Sequence, residues 1–430
     1  MKLWEKSTKI NSLIESFTIG NDPDFDLQLA KFDVQGTLAH IKMLESIGLL
    51  TSTELAKLET VLAEITELIE QNKFIIEPSV EDVHSQVELI LTRKLGDIGK
   101  KIHAGRSRND QVMVDLRLFF RSEIKEITDL TKALFKVLIS QSKQYQHVLM
   151  PGYTHTQVAM VSSFGLWFGA YAESLVDDLT LLSSVYKINN QNPLGSAAGY
   201  GSSFPLDRKM TTELLGFQDL AYNSIHAQLG RGKTEQFLSF GLAGLGGTLG
   251  KMAADVVLFS NENFKFLKLP DEFTTGSSIM PHKKNPDVFE LIRGHCNLLQ
   301  SLPGQVSLLN ANLISGYHRD FQLLKEVLFP ALKNIKNCLR LATHCLSEIK
   351  VSKDILADEK YKYLYTVEKV NELVKTGVPF REAYQQIGGE IEKGNFEYSG
   401  ALVHTHEGSI GNLCLKEIEK KMNRVLIFEL

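Results

Sequence analysis

Cysteine is scarce in this 430-residue chain, and the four present (Cys296, Cys338, Cys345, Cys414) show no paired spacing. That argues against a disulfide framework and fits reduced thiols in the cytoplasm. Net charge is only −4, so no bulk attraction to nucleic acid or to an anionic membrane is expected. An anionic small substrate would need locally placed cations instead. The most apolar long stretch, Phe237 to Phe259, is interrupted by Lys251 and Asp255, which argues against a membrane span. Met1 to Gly20 interleaves Lys, Glu and Asn with single apolar residues, so no secretory signal is expected. Strand-like alternation is nearly absent, with Lys73–Ile76 the one candidate. HExxH is missing, and His404-Thr405-His406-Glu407-Gly408 reads as a polar turn. We expect no metal and no cofactor.

What is present is helical periodicity. With 43% hydrophobic residues the chain can bury a large core in two or three domains. Apolar spacing predicts helices over Leu27–Leu50 (ending at Gly48), Thr53–Gln71 and Ser79–Leu95. Longer helices follow over Val112–Gln144, from Phe164 to Tyr186, over Ser224–Asn263 and over Pro286–Gln300. In the longest, Leu238, Leu242, Leu245, Leu249, Met252, Val256 and Phe259 form a heptad seam. Gly241, Gly244, Gly246, Gly247 and Gly250 lie in the same stretch. Each costs roughly 0.5–1 kcal/mol in a helix relative to Ala, so close approach of another backbone and bundling between subunits are expected there. The domain division is 1–105, 106–355 and a small helical part over 356–430.

Polar loops punctuate these helices. Thr274 to Pro286 (TTGSSIMPHKKNP) combines a flexible entry, two hydroxyls and two lysines. A solvated turn and an anion-binding loop explain it equally well by composition. Gly105-Arg106-Ser107-Arg108-Asn109-Asp110-Gln111 precedes a helix. Two arginines there oppose the macrodipole unless an anion compensates, which favours a carboxylate site. Met150 to Gln157 is a Pro-Gly turn that puts His155 near the start of the next helix, where the dipole would lower its pKa. Taken alone, that histidine is better explained as a surface or capping residue. Asn192–Arg208 is a long Gly/Ser/Pro-rich loop, and such loops are usually functional or mobile. Asn312–Lys325 is polar enough to border a site.

Together these stretches resemble the fumarase/aspartase superfamily, and within it the argininosuccinate lyases, over nearly the whole chain. Gly276-Ser277-Ser278-Ile279-Met280-Pro281-x-Lys283-x-Asn285-Pro286 is similar to the superfamily signature. Gly105 to Val112 and Tyr153-Thr154-His155-x-Gln157 resemble the argininosuccinate lyase forms of two further shared regions. Asp33-Val34-Gln35-Gly36, Glu81-Asp82-Val83-His84 and Pro379-Phe380-Arg381-Glu382-Ala383 match as well. The resemblance implies an all-α, three-domain subunit whose long central helices pack into the 20-helix core of a homotetramer. Each active site would collect residues from three subunits.

It further implies reversible β-elimination of argininosuccinate to arginine and fumarate. Ser277 would be the base, its alkoxide stabilised by the N–H groups of Gly276 and Ser278 and by Lys283. Lys283 and Asn285 would meet the charge that builds on the adjacent carboxylate. His155, oriented by Glu290, would be the acid. Thr154, Ser107 and Asn109, with Arg108, would hold the fumarate-derived carboxylates, and Tyr317, Gln322 and Lys325 the amino-acid end. Three departures touch that end. Asp22 stands where the family usually has serine, His318 replaces a common asparagine, and Leu323-Leu324 replaces an acidic pair. With no substrate bound, 274–284 is expected to be disordered or open. The rival readings are an adenylosuccinate or aspartase-like lyase, which the Arg106–Gln111 stretch opposes, and a non-catalytic crystallin-like protein. The latter is disfavoured because Ser277, His155, Lys283, Asn285 and Glu290 are all retained.

Overall fold

The computed structural model describes residues 11–78 and 80–425. Within them the chain separates into two compact units, each built from three stretches. One comprises the described residues up to Ile127, with Leu181–Ala243 and Leu298–Ile335, the other Thr128–Thr180, Gly244–Asn297 and the described residues from Lys336. Four long helices, Arg108–Gln144, Phe164–Asn189, Ser224–Phe259 and Leu323–Glu348, contribute residues to both.

The first unit opens with three helices that the periodicity anticipates, at Ala30–Ser46, Ser52–Glu70 and Val83–Leu95. Their ends follow local chemistry. Gly48 takes a left-handed conformation after the first. Thr51 and Glu54 form a reciprocal capping box at the second, and the Asp82 carboxylate accepts from Ser85 N at the third. The predicted start of that third helix, Ser79, lies outside the described residues, as does the Met1–Ile10 part of the N-terminal reading. Leu44, Leu58, Leu62, Val87 and Leu91 close a shared core.

The heptad seam is real: Leu238, Leu242, Leu245, Leu249, Met252, Val256 and Phe259 are all buried. Ser224–Phe259 is long and apolar enough to cross a membrane, yet half of its most apolar window is buried inside the protein. At two of the seam's glycines the neighbour is not the one expected. A Cβ at Gly241 would meet the Leu182 side chain at 2.7 Å, and one at Gly250 the Cys296 Cβ at 3.2 Å. Side chains, not another backbone, fill those notches. The helix is also not continuous: Arg231 (ψ 133°) and Gly232 (φ 78°) break it. Arg-Gly carries no signature in a heptad count.

The strand expectation fails twice. Lys73–Ile76 of the first unit pairs with no strand among the described residues, whereas in the second unit Leu149–Thr154 and Gln157–Ser163 form an antiparallel hairpin. Two further sheets have only two residues per strand. The 356–430 region supplies helices Thr366–Lys375, Phe380–Glu392 and Leu415–Val425, with Val370, Ala383, Ile387 and Phe396 between the first two. His404 bonds Glu368 at 2.9 Å in a polar turn, as expected. All four cysteines are free thiols.

Candidate functional site

Helix Arg108–Gln144 starts on its own cap. Ser107 Oγ accepts from Asn109 N at 3.3 Å, and Ser107 N donates to Asp110 Oδ1 at 2.9 Å. The other Asp110 oxygen accepts from Gly195 N and Ala197 N, both at 2.9 Å. One buried carboxylate thus ties the Gly/Ser-rich loop to this motif. The loop is anchored at its start rather than free.

The two arginines beside that cap do not face an outside anion in the way the macrodipole argument suggests. Arg106 is buried and donates to Thr37 Oγ1 at 2.9 Å. Arg108 reaches Glu81 at 3.2 Å, Asp82 at 3.1 Å and Ser85 Oγ at 2.7 Å. The compensating anions are the chain's own Glu81-Asp82.

Arg108 and Asn109 share a cavity of about 230 Å³ with Tyr317, Gln322 and Lys325. Five of the residues expected to bind substrate therefore meet in one pocket of the first unit, with Ser107 next in the chain. Asp22, Asp26, Glu81, Asp82, His84, Arg231 and Arg319 complete its polar lining. Four carboxylates interleaved with cations suit a small ligand carrying both signs of charge. A larger cavity of about 500 Å³ in the same unit has only Arg231 and Lys233 as ionisable lining. Chemistry, not size, selects the smaller one.

Of the departures noted in the sequence, Asp22 lines this cavity, while His318 and Leu323-Leu324 do not. Asp22 is 2.5 Å and Asp26 2.6 Å from Lys325 Nζ. Burial pushes the Asp22 carboxyl up to about 6 against the pull of Lys325, and Asp26 adds to the push. Lys325 is itself raised: burial opposes its charge, but Asp26 and Asp22 outweigh it. Arg319 (2.7 Å) and Gln322 (3.2 Å) both donate to Thr18 O, fastening the segment before Asp22 over the pocket. His318 bonds Ile314 O at 3.0 Å, and Leu324 is buried where the family has an acid. Asp26 and Arg231 were missed by the sequence reading. Nothing in their spacing marks them, since Asp26 meets Lys325 across 299 positions.

Thr154, His155, Ser277, Lys283, Asn285 and Glu290 belong to the second unit. His155 is not at a helix N-terminus, because the next helix starts only at Phe164. It occupies the hairpin tip with Thr156, at φ 53° and 60°. Both positions of a two-residue hairpin turn require this left-handed backbone, which asparagine and glycine normally supply. A β-branched threonine there is strained, and such strain collects at functional sites. Thr154 and His155 are exposed.

The Thr274–Pro286 loop has a fastened neck. Thr275 and Asn285 exchange backbone hydrogen bonds at 3.1 and 2.8 Å, and Thr275 Oγ1 bonds Asp287. Beyond that neck the residues are mostly exposed. Ser277 is half-buried, and its Oγ accepts from Met280 N at 3.2 Å and Ile279 N at 3.4 Å. The donors are therefore two and three residues downstream, not Gly276 and Ser278 as expected. Lys284 is spent on Asp271 at 2.6 Å, whereas Lys283 Nζ has no acidic partner among the described residues. Glu290 is exposed on the first turn of helix Asp287–Leu299. Neither its carboxylate nor the His155 ring has a hydrogen-bond partner among the described residues, so the chain alone does not join them.

Comparison with known proteins follows the same lines. A sequence model of a family described as lyase matches residues 5–300. The argininosuccinate lyase of Bacteroides fragilis is 60% identical over 425 residues, spanning 99% of this chain and 95% of that one. That of Thermotoga neapolitana is 42% identical over 386 residues, 90% of this chain and 97% of the other. Among solved structures, a variant EDDS lyase with bound fumarate superposes with TM-score 0.78 at 24% identity, covering 95% of this chain and 90% of that one. A class II fumarase from Schistosoma mansoni does so with TM-score 0.73 at 17% identity, covering 96% and 95%. These two share the fold.

Proposed function

This chain belongs to the argininosuccinate lyases, and we propose that it cleaves argininosuccinate to L-arginine and fumarate by reversible β-elimination, in arginine biosynthesis in the cytoplasm. One observation carries the chemistry. Two backbone N–H groups converge on the half-buried Ser277 Oγ, in a loop whose Lys283 lacks an acidic partner among the described residues.

Ser277 takes the proton from the carbon beside a carboxylate. A serine alkoxide is a costly base, so the N–H groups of Ile279 and Met280 and the Lys283 charge must stabilise it. The electron pair left behind spreads into the carboxylate, where Lys283 and Asn285 meet the added charge. The C–N bond then breaks, and His155, oriented by Glu290, protonates the departing guanidinium nitrogen. Ser107, Asn109 and Thr154, with Arg108 braced from behind, hold the fumarate-derived carboxylates. Tyr317, Gln322 and Lys325 hold the amino-acid end.

The homotetramer belongs to this reading, with the three-part division 1–105, 106–355 and 356–430 and a 20-helix core. Its support is twofold. His155 and Glu290 are unpartnered within the described chain, and Phe240, Leu291, Leu298 and Leu308 stand exposed on its helices. Light scattering should give four times the 48.2 kDa chain mass; a fully active monomer would count against it. The deciding experiment is fumarate absorbance on adding argininosuccinate, with arginine formed in equal amount. Silence with argininosuccinate and a signal with another succinyl compound would move the substrate within the superfamily.

A further inference from the structure

A cavity of about 550 Å³ lies within the second unit, and the chemistry above leaves it unused. The hairpin lines it through Gly152, Tyr153 and Thr156, the next helix through Trp167, and the last turns of Ser224–Phe259 through Asp255. Met150 and Phe259 of the lining are buried, whereas Thr156, Ala170 and Leu258 are exposed. The cavity therefore has a closed floor and an open mouth.

Aromatic rings build its wall. Tyr153 meets Phe264 at 5.8 Å between centroids, Phe264 meets Phe259 at 6.5 Å, and Phe259 meets Trp167 at 5.8 Å, all edge-to-face. Such an arc alone is ordinary packing. Packing does not require Asp255, the one charged side chain of this lining among the described residues. Trp167 Nε1 and Tyr171 OH both donate to its Oδ2, at 3.0 and 2.7 Å. Burial, and next that bond, raise the Tyr171 phenol, so it stays a donor. Oδ1 has no hydrogen-bond partner among the described residues, and it is not sealed from solvent. No cation pairs with Asp255 among the described residues either. An amide oxygen would serve the same two donors without a charge. An ionised carboxylate beside aromatic carbon costs desolvation, which a bound cation offsets.

We propose that this cavity is an effector site for a guanidinium carried on an apolar stem, separate from the pocket assigned to the substrate. A guanidinium is flat and weakly hydrated, so it stacks on aromatic rings while its N–H groups donate to a carboxylate oxygen. Asp255 Oδ1 takes the head and the ring wall takes the stem. The volume, and an apolar lining with one fixed charge, are those of a small-molecule site. Occupancy reaches the chemistry through the hairpin. Tyr153 and Thr156 line the cavity and flank Thr154-His155 at the tip. His155 and Thr156 hold the left-handed backbone of a tight turn, so a shift at one is carried to the other. The effect on turnover rests on the lyase reading; the site itself does not.

The test is a titration of the full-length protein with n-butylguanidinium, read by tryptophan fluorescence. A Trp4→Phe background leaves Trp167 as the only indole. A saturable change is expected. n-Butylurea, similar in shape but uncharged, should bind at least about tenfold more weakly, and Asp255→Asn should weaken the guanidinium about ten- to a hundredfold. Ala170→Phe, which fills the exposed mouth, should abolish the signal. Saturating n-butylguanidinium should also change kcat for fumarate release by about twofold or more at constant KM, and Ala170→Phe should remove that change.

No saturable signal, equal binding of urea and guanidinium, or undiminished binding in Ala170→Phe overturns the proposal. Should Asp255→Asn not fold, the urea and Ala170→Phe decide. Binding with kcat unmoved rejects the effector role. A rise in KM alone that persists in Ala170→Phe puts the cation in the substrate pocket and overturns the proposal likewise. A parent that releases no fumarate sinks the lyase reading alone, and the fluorescence titration still decides the site.

Discussion

The Lys325 ammonium lies 2.5 Å from the Asp22 carboxylate, in a family position where serine is usual. Asp26 is 2.6 Å from the same nitrogen, so one cation serves two acids. The excess is expressed as Asp22's proton affinity, raised by burial from 3.8 to about 6.

This makes a stability prediction whose sign is fixed. An acid with a raised folded pKa binds protons more readily folded than unfolded, so its contribution grows as pH falls through about 6 toward 4. At pH 7.5 that contribution is absent. The full effect is at most about 3 kcal/mol, from roughly two pKa units. Urea unfolding at pH 5 and 7.5 should show the parent gaining on Asp22→Asn at the lower pH. Parallel behaviour of the two would rule the assignment out.

Ser277→Ala should lower kcat about 10²- to 10⁴-fold, the usual worth of a positioned proton acceptor. Its thermal midpoint should stay at the parent's value, because Ser277 is only half-buried and its Oγ accepts two hydrogen bonds within its own turn. A variant as active as the parent means that another group is the base.

The two adjacent lysines of the loop should behave differently. Lys283→Ala removes the cation without an acidic partner and should cost about 10²- to 10³-fold in kcat, on the scale of a lost oxyanion donor. Lys284→Ala breaks the 2.6 Å pair with Asp271 on the surface, worth about 0–1 kcal/mol, and should leave kcat within a few fold. Equal losses in both would mean the loop responds to charge in general.

Gly232→Ala tests the kink. At φ 78° an added Cβ is strained and collides with Asn310 Oδ1, and it approaches Phe321 at 2.9 Å. A cost of about 2 kcal/mol is expected. Arg231 donates to Phe321 O at 2.7 Å, next to Gln322, so KM for argininosuccinate should rise as well. Loss of stability with KM intact would separate the kink from the pocket.

Much of this was legible in the sequence because it is local or periodic. The 238–259 seam and the Gly48 stop need only neighbours in the chain; the Thr51/Glu54 cap went unread, since apolar spacing starts the second helix at Thr53. The loops at 107–109 and 277–285 stand out in the sequence by composition plus resemblance. The hairpin at 149–163 was not, since Pro-Gly suggested a bare turn. The clue passed over was Val158-Ala159-Met160-Val161, an apolar run too short for a helix. Nor was the buried grouping of Asp33, His84 and Asp115 legible: the three meet only because their helices pack, and no spacing encodes that.

Each unit takes its residues from three separated stretches of chain, and this sets an order of events during synthesis. The first unit cannot close until residues 298–335 have left the ribosome, roughly 10–40 s after residue 127 at about 5–20 residues per second. Throughout that interval Asp22 and Asp26 have no Lys325, and the long helices extend into a second unit that is itself unfinished. The last stretch of the first unit ends at residue 335, whereas the second still awaits residues from 336 onward. A chain ending at residue 297 should therefore be cut readily by protease across Asp22 to Val83, although every residue of that segment is already present.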